Sequence, residues 1–582
     1  MQPQITVLDA GGQYCHLIAR KVRDLGVYAE VRPSETPSSE LNGRKGLIIS
    51  GGPSSVYEPE SPTIDPGVLR TGTAVLGICY GQQLMAYLLG GSVRKGDKGE
   101  YGFARLEICG RAPIFDGIES TQQVWMSHRD VVDGVPPGFR SLGQTATCDI
   151  AAMADDSRRL YAVQFHPEVV HTPSGNAILS NFLFKVCGCE RDWNPTCQIE
   201  ALERQIREAA GDRNIFFFVS GGVDSTVAYT LCLRALGPER VYGAYVDTGL
   251  MREGETEFVE GVFRRLGATH FRVEHAQQQF LGALAGVCDP EKKRHIIGQQ
   301  FVEVQERVLQ EGSFLEGNWV LGQGTIYPDT IESGGTAKAE VIKTHHNRVA
   351  GIQRLITAGR LIEPLTQFYK DEVRRIGREL GIDAEILGRH PFPGPGLAIR
   401  CLCGDERAQP ERIDEGWILP VHSVGVQGDS RSYRPVLAIE YAPSNGEAAE
   451  LVNRIARVNR VVQLVASHAP FASLSVTPST LDSVRLEKLR RADAVVRRFS
   501  LDTGFDSEVW QFPVVLIPAG IPGRPDSVVL RPIDSVDGMT AQVVRMEESM
   551  LRQLADELLA IDGVCGVFYD LTNKPPATIE WE

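Results

Sequence analysis

Two stretches of this 582-residue chain carry reactive or ligand-holding side chains in patterns with a definite chemistry. The first is Ser220-Gly221-Gly222-Val223-Asp224-Ser225-Thr226, between the apolar run Ile215 to Val219 and the helix-like Val227 to Leu231. An apolar strand, a Gly-Gly turn and a helix start together make an anion site. The turn's N–H groups are free, the helix dipole favours negative charge, and glycine lets the backbone approach a phosphate closely. Ser220, Ser225 and Thr226 add hydroxyl donors. No Gly-Lys-Ser/Thr ending follows, so this is not a Walker A loop. An ordinary strand-to-helix turn is the competing explanation for a Ser-Gly-Gly taken alone. The second stretch is Gly77-Ile78-Cys79-Tyr80-Gly81, which ends the apolar run Ala74 to Ile78. A Gly-x-Cys-x-Gly turn is the thiol form of a nucleophile elbow. It exposes the sulfur above a sheet, against a helix N-terminus that favours thiolate. A later run, Leu160 to Phe165, leads into His166-Pro167-Glu168, where His166 can serve Cys79 as base and Glu168 can orient the imidazole. Each residue alone has a packing explanation; together they describe acyl transfer through a thiol.

These residues need a scaffold, and the flanking pattern supplies one. Strand Ile5 to Asp9, a Gly-Gly turn, a helix from about Cys15 to Leu25, and strands Gly46 to Ile49 and Ala74 to Ile78 imply a mostly parallel α/β sheet. A linker, Trp193 to Cys197, and an amphipathic helix, Ile199 to Ala209, lead to the phosphate loop. The next strand, Val241 to Val246, ends in Asp247-Thr248-Gly249. In a doubly wound sheet that end, with Val246, is a crevice position suited to an adenosine. Asp289 to Arg294 opens a cationic helix, and Leu321 to Thr325 is another strand-to-Gly turn. Lys343 and Lys370 are candidate phosphate contacts. The adjacent His345 and His346 lack a third ligand at helical spacing, so no metal site is expected there. His390-Pro391-Phe392-Pro393-Gly394-Pro395-Gly396-Leu397 is a rigid, non-helical strip that reads either as a linker or as a pocket wall.

Composition bounds the function. The length exceeds a single core and allows about three or four domains. With 60 basic against 74 acidic residues the formal charge is −14, which argues against a general nucleic-acid binder. No apolar run reaches a membrane span and the N-terminus has no signal-peptide character, so a cytoplasmic protein without membrane partners is expected. Twelve scattered cysteines include Cys187/Cys189 and Cys401/Cys403, whose spacing is not that of a zinc knuckle.

Beyond the residues themselves lie resemblances. Ser50-Gly51-Gly52-Pro53, Gly77 to Gly81, Trp125-Met126-Ser127-His128 and Phe165-His166-Pro167-Glu168 resemble class I glutamine amidotransferases. That implies attack of Cys79 on the glutamine amide, a thioester, and an oxyanion hole from Gly52, with the Gly51-Gly52 backbone, and the Tyr80 N–H. Arg129 departs from the pattern, which has glycine there. SGGVDST resembles the loop of ATP pyrophosphatases. With DPEKKRHIIG, QGTIYPDTIES, IKTHHN, EPL, KDEVRRIG, RHPFPGPGLAIR and KPPATIEWE it is similar to the glutamine-hydrolysing GMP synthases over nearly the whole chain.

The resemblance implies an amidotransferase domain at 1–192, a doubly wound pyrophosphate-loop ATP pyrophosphatase domain at 193–396, and an α+β C-terminal domain at 397–582. It implies ATP with Mg²⁺ on Ser220, Gly221, Gly222, Val223, Asp224, Ser225, Thr226, Val246, Lys343 and Lys370. XMP is placed on Arg431, Gln511, Lys574, Ile579 and Glu580. The implied reaction is XMP amination through an adenylyl intermediate. Two C-terminal stretches, about 410–470 and 480–582, resemble each other and read as a duplicated strand-strand-helix-strand unit. The shorter family form dimerises through one such unit, so a second copy in the same chain favours a monomer, with a weak or substrate-induced dimer as the alternative. Competing functions are another amidating or thiolating pyrophosphatase acting on a substrate such as tRNA, and a silent regulatory homologue.

Overall fold

The computed structural model describes residues 2–12, 14–169, 171–332, 349–427, 430–441, 447–535 and 540–582; the side chains of 97–98, 330–332, 426–427 and 430–431 lie outside that description. The described residues separate into two compact units, one ending at Gln198 and the other beginning at Ile199.

The first unit is built on a nine-stranded sheet. Ala29–Pro33, Ile5–Asp9, Gly46–Ile49, Ala74–Ile78 and Leu160–Val163 run parallel in that order. Gly46–Ile49, Ala74–Ile78 and Leu160–Val163 are buried throughout, as inner strands of a parallel sheet covered on both faces are, whereas the edge strand Ala29–Pro33 carries Glu30 and Arg32. Ala152–Asp155, Arg140–Gln144, Ser92–Ile108 and Thr121–Gly134 then continue the sheet antiparallel. Thr121–Gly134 alternates over its middle, with Val124, Met126, His128 and Asp130 buried, Trp125 half-buried and Ser127 and Arg129 exposed, as a strand with one solvated face requires. The register Val75↔Leu160 to Ile78↔Val163 brings two distant strand ends to one level. The Cys79 N–H donates to the Val163 carbonyl at 2.8 Å.

In the second unit the strand order is His270–His275, Val241–Asp247, Asn214–Val219, Trp319–Gly322, Leu361–Ile362, all parallel. The chain winds outward one way from Asn214–Val219 and then the other, which leaves a switch-point crevice beside Trp319–Gly322.

A seven-stranded sheet follows: Glu411–Ile413, Gly416–Gln427, Ser430–Ile439, Arg460–Ser467, Val564–Asp570, Asp526–Leu530, Val514–Ile517. Its two halves share a connection. Gly416–Gln427 and Ser430–Ile439 form a hairpin, helix Glu447–Arg454 crosses, and Arg460–Ser467 returns parallel. Val514–Ile517 and Asp526–Leu530 do the same through helix Glu548–Leu559 and strand Val564–Asp570. The two returning strands meet antiparallel at the centre.

At that centre Asp570 is fully buried and accepts from Arg460 at 2.6 Å, Arg531 at 2.8 Å and the Trp581 indole N–H at 3.0 Å. Burial alone would raise the Asp570 carboxyl, but the two guanidiniums outweigh it and hold the group below its ordinary range. Asp570→Asn leaves two buried cations short of a counter-charge, and a loss of about 3–5 kcal/mol is expected from urea denaturation. Because the folded value is depressed, this contribution is present above about pH 4 and is lost as pH falls through the lower folded value. The acid limb of the stability curve should therefore flatten in Asp570→Asn, and an unchanged limb would count against the assignment.

Candidate active site

In the first unit the elbow forms as its sequence requires. Cys79 sits between strand Ala74–Ile78 and helix Tyr80–Leu88 with φ 52° and ψ −105°, a left-handed backbone that a side chain adopts only at a cost. That turn aims the sulfur out of the sheet, and Sγ lies 3.7 Å from the Ser127 carbonyl. His166 enters from the neighbouring strand end, fixed by its N–H to the Trp125 carbonyl at 3.0 Å. Its Nδ1 meets Glu168 Oε1 at 2.6 Å, and Glu168 is fully buried. Burial of His166 works against the imidazolium, but Glu168 and the adjacent Cys79 sulfur outweigh it and hold the imidazole well above its ordinary range. The Tyr14 ring packs edge-on at 5.2 Å between centroids.

Around this centre the backbone leaves room. A Cβ on Gly51 would lie 3.2 Å from His166 Cε1 and 3.7 Å from Cys79 Cβ, so glycine keeps the gap between thiol and imidazole open. Tyr80 is the first helical residue, and its N–H has no intrahelical acceptor. Behind the elbow, Gln83 donates to Asp130 O at 2.8 Å and to Gln164 Oε1 at 3.1 Å, tying the helix to strand Thr121–Gly134 and to the residue that follows strand Leu160–Val163. His128 bonds Glu100 at 3.2 Å, while Arg129 is exposed.

In the second unit Ser220 to Thr226 joins strand Asn214–Val219 to helix Val223–Leu236. Gly221 has φ 73°, which glycine takes without strain. The hydroxyls knit the loop: Ser220 Oγ accepts from the Gly222 N–H at 3.2 Å and meets Ser225 Oγ at 3.1 Å, and Thr226 donates to the Gly222 carbonyl at 2.8 Å. Across the switch point Gly324 abuts the helix start; a Cβ there would come 2.7 Å from the Ser225 nitrogen. Lys370, at the start of helix Lys370–Glu379, pairs with Asp224 at 3.1 Å, which brings a cation to the loop. Asp224 Oδ1 is buried without a partner among the described residues. Val246 is buried at the end of the adjacent strand, next to Asp247, which accepts from Gln277 at 2.7 Å. Lys343, His345 and His346 lie outside the described residues.

The terminal segment is docked. Trp581 is fully buried and Glu582 nearly so. Lys574 exchanges two backbone bonds with Ala541, and Ile579 O accepts from Arg531 at 2.9 Å. Glu580 is gripped by Arg400 through two bonds, 2.9 and 2.7 Å. Glu582 pairs with the buried Lys293 at 2.6 Å, and Arg294 donates to its carbonyl. The segment touches both halves of the seven-stranded sheet: Val424 N–H donates to Trp581 O at 2.8 Å, and Arg531 holds the Thr578 carbonyl at 2.7 Å. Gln511 exchanges backbone bonds with Ile533 and keeps a buried Oε1 without a partner among the described residues. Arg431 lies in strand Ser430–Ile439 opposite Val426, with its side chain outside the description. Sequence reasoning missed Arg400, Arg460, Arg531, Asp570 and the Lys293–Glu582 pair. Arg400 ends RHPFPGPGLAIR, and Lys293 and Glu582 lie within DPEKKRHIIG and KPPATIEWE, so those stretches held a signal. Nothing local marked the other three.

Comparison with known proteins decides the family. A class-I glutamine amidotransferase model matches residues 6–186, and a GMP synthase C-terminal domain model matches 500–581. A probable glutamine-hydrolysing GMP synthase of Leptospira interrogans is 42% identical, covering 100% of this chain and 99% of its own. The chain belongs to the glutamine-hydrolysing GMP synthases. A member from Caldicellulosiruptor saccharolyticus is 40% identical, with all of both chains covered. Among solved structures, a putative GMP synthase subunit from Thermoplasma acidophilum is 34% identical over 32% of this chain and 95% of its own, with a TM-score of 0.30. In the family's terms the matched C-terminal model spans the second half of the seven-stranded sheet and nearly all of the docked segment.

The phosphate loop yields a direct test. A Cβ on Gly222 meets only Ser220 Oγ, at 3.2 Å, so a larger side chain there leaves the packed core undisturbed and projects into the loop. Gly222→Val should fold normally yet lose ATP-dependent AMP release by at least about a hundredfold with either nitrogen source, equivalent to about 2.7 kcal/mol. A folded variant with normal AMP release would remove the loop from the site.

Proposed function

We propose that the chain aminates XMP to GMP, consuming ATP and glutamine and releasing AMP, pyrophosphate and glutamate, and that it does so in the cytoplasm. The observation that carries this reading is the Cys79–His166–Glu168 geometry, found on a chain that matches the family from end to end. Cys79 thiolate attacks the glutamine side-chain amide carbon. The N–H groups of Gly52 and Tyr80 receive the oxyanion, and His166 gives its proton to the departing ammonia. Water then cleaves the thioester, with His166 taking the water's proton, and glutamate leaves. Glu168 keeps the imidazole oriented throughout.

ATP is assigned to Ser220, Gly221, Gly222, Val223, Asp224, Ser225 and Thr226, with Val246 toward the adenosine and Lys343 and Lys370 toward the phosphates. The xanthine 2-oxygen attacks the α-phosphorus and pyrophosphate departs. Ammonia then displaces AMP from carbon 2. Asp224 Oδ1, without a partner among the described residues, is a hard oxygen donor that would suit a Mg²⁺ carried by ATP, which would supply charge neutralisation at the phosphates. Arg431, Gln511, Lys574, Ile579 and Glu580 are assigned to XMP. The burial of the terminal segment supports this, since an ordered chain end closes a pocket without a folding cost at binding.

We further read the two halves of the seven-stranded sheet as copies of one unit, each returning strand meeting the other at the centre. A patch that pairs with a second subunit in a shorter relative is then paired within the chain. Domain limits of 1–192, 193–396 and 397–582 fit this reading, with the two units near 410–470 and 480–582.

The two half-reactions separate experimentally. Cys79→Ala should abolish glutamine-driven GMP formation and leave the ammonium-driven rate within about twofold, a difference under about 0.5 kcal/mol. A parallel fall in both rates would overturn the separation of sites. Light scattering at micromolar concentration without ligands should give the mass of one chain, and a stable dimer would defeat the internal pairing.

A further inference from the structure

We propose that Arg400 is a positioning residue for Glu580, fixing that carboxylate toward the nucleobase edge of the XMP site. The inference rests on the reading of the terminal segment as part of that site. Arg400 ends the Pro/Gly strip, directly after the short helix Gly396–Ile399, and only 1% of it is exposed. Its own backbone is pinned: its N–H donates to Leu397 O at 3.0 Å and its carbonyl accepts from the Leu516 N–H at 2.8 Å. The guanidinium therefore has little freedom, and it meets Glu580 as a fork, Nε to Oε2 and Nη2 to Oε1. A bidentate pair sets the plane of the carboxylate as well as its place, which a lysine's point charge does not do. The Phe392 ring lies 5.3 Å from this guanidinium and 4.5 Å from that of Arg252, so the strip's aromatic sits between two buried cations. Glu580 keeps part of its surface open, with a side-chain exposure of 17%. Arg400 Nη1 is buried and without a partner among the described residues, a further donor at the same spot.

Docking of the segment does not depend on this pair. Arg460 and Arg531 hold the carbonyls of Thr578, Ile579 and Glu580, and the Trp581 indole is bonded to Asp570. The function of Arg400 is therefore separable from the ordering of the chain end. An N–H on the nucleobase is the donor that a carboxylate fixed in this plane accepts from, and such a contact is lost when the carboxylate swings.

The experiment is a double-mutant cycle on the full chain, with ammonium as nitrogen source and XMP varied. Arg400→Gln and Glu580→Gln should each raise the XMP KM at least about tenfold. Combined, they should do no more than Glu580→Gln alone, because Arg400 acts through Glu580. Arg400→Lys should recover part of the loss. Hydrogen exchange over residues 576–582 should match the parent in Arg400→Gln, a readout that a purely structural role would move. Additive effects, or a normal KM in Arg400→Gln beside an impaired Glu580→Gln, overturn the proposal. A normal KM in Glu580→Gln overturns the reading of the terminal segment, and the proposal with it. Were Arg400→Gln unfolded, the double variant, which removes both charges, and Arg400→Lys still decide the cycle.

Discussion

The C-terminal half of this molecule depends on one carboxylate shared by two guanidiniums. Asp570 sits at the end of a central strand with Arg460 and Arg531 bonded to it, and none of the three is solvent-accessible. Buried charges are costly, and such a group persists only when its geometry satisfies most of its hydrogen-bonding capacity. Here it does: the arginines spend their remaining donors on carbonyls of Val424, Thr572, Thr578, Ile579 and Glu580, and the carboxylate takes the Trp581 indole. The arrangement converts a polar chain end into a packed element. It also links the two halves of the sheet, since Arg460 opens a strand of one and Arg531 follows a strand of the other.

The glutaminase unit solves its positioning problem by different means. No large charge network surrounds Cys79 among the described residues. Strand register sets the geometry, placing Ile78 against Val163 so that thiol and imidazole emerge at adjacent ends. One strained backbone position then directs the sulfur outward, and one short bond, His166 to Glu168, fixes the base. A rigid parallel sheet holds such geometry to fractions of an ångström, which is what attack on an amide demands.

The phosphate loop combines both strategies. Its fold is local, a strand, a glycine turn and a helix start. Its environment is assembled from afar by Gly324, which admits the helix at close range, and by Lys370, whose ammonium reaches Asp224. The Pro/Gly strip from His390 onward runs from this domain to Arg400 and so reaches the docked segment through the Glu580 pair. Within the second unit the Ser220 to Thr226 loop's domain and the docked terminal segment are thus linked through a stretch with few rotatable degrees of freedom.

What the sequence by itself determined is whatever is encoded over a few consecutive residues. The Cys79 elbow, the Ser220 to Thr226 loop and the parallel strands were all legible, because glycines, apolar runs and caps act locally on the backbone. His166-Pro167-Glu168 could be read for the same reason, its carboxylate being two residues from its imidazole. The antiparallel extension of the first sheet was not read, although Thr121–Gly134 alternates as such a strand should. The partners of Arg400, Arg460 and Arg531 were decided only by tertiary structure. An arginine in a strand or loop reads as a solvated face, and nothing nearby in sequence marks Arg460 or Arg531 as buried. Arg400 meets Glu580 180 residues away, and Arg460 meets Asp570 at a separation of 110. Charge pairing of this kind is a property of two surfaces brought together, so it has no signature until the fold has chosen which carboxylate faces which guanidinium.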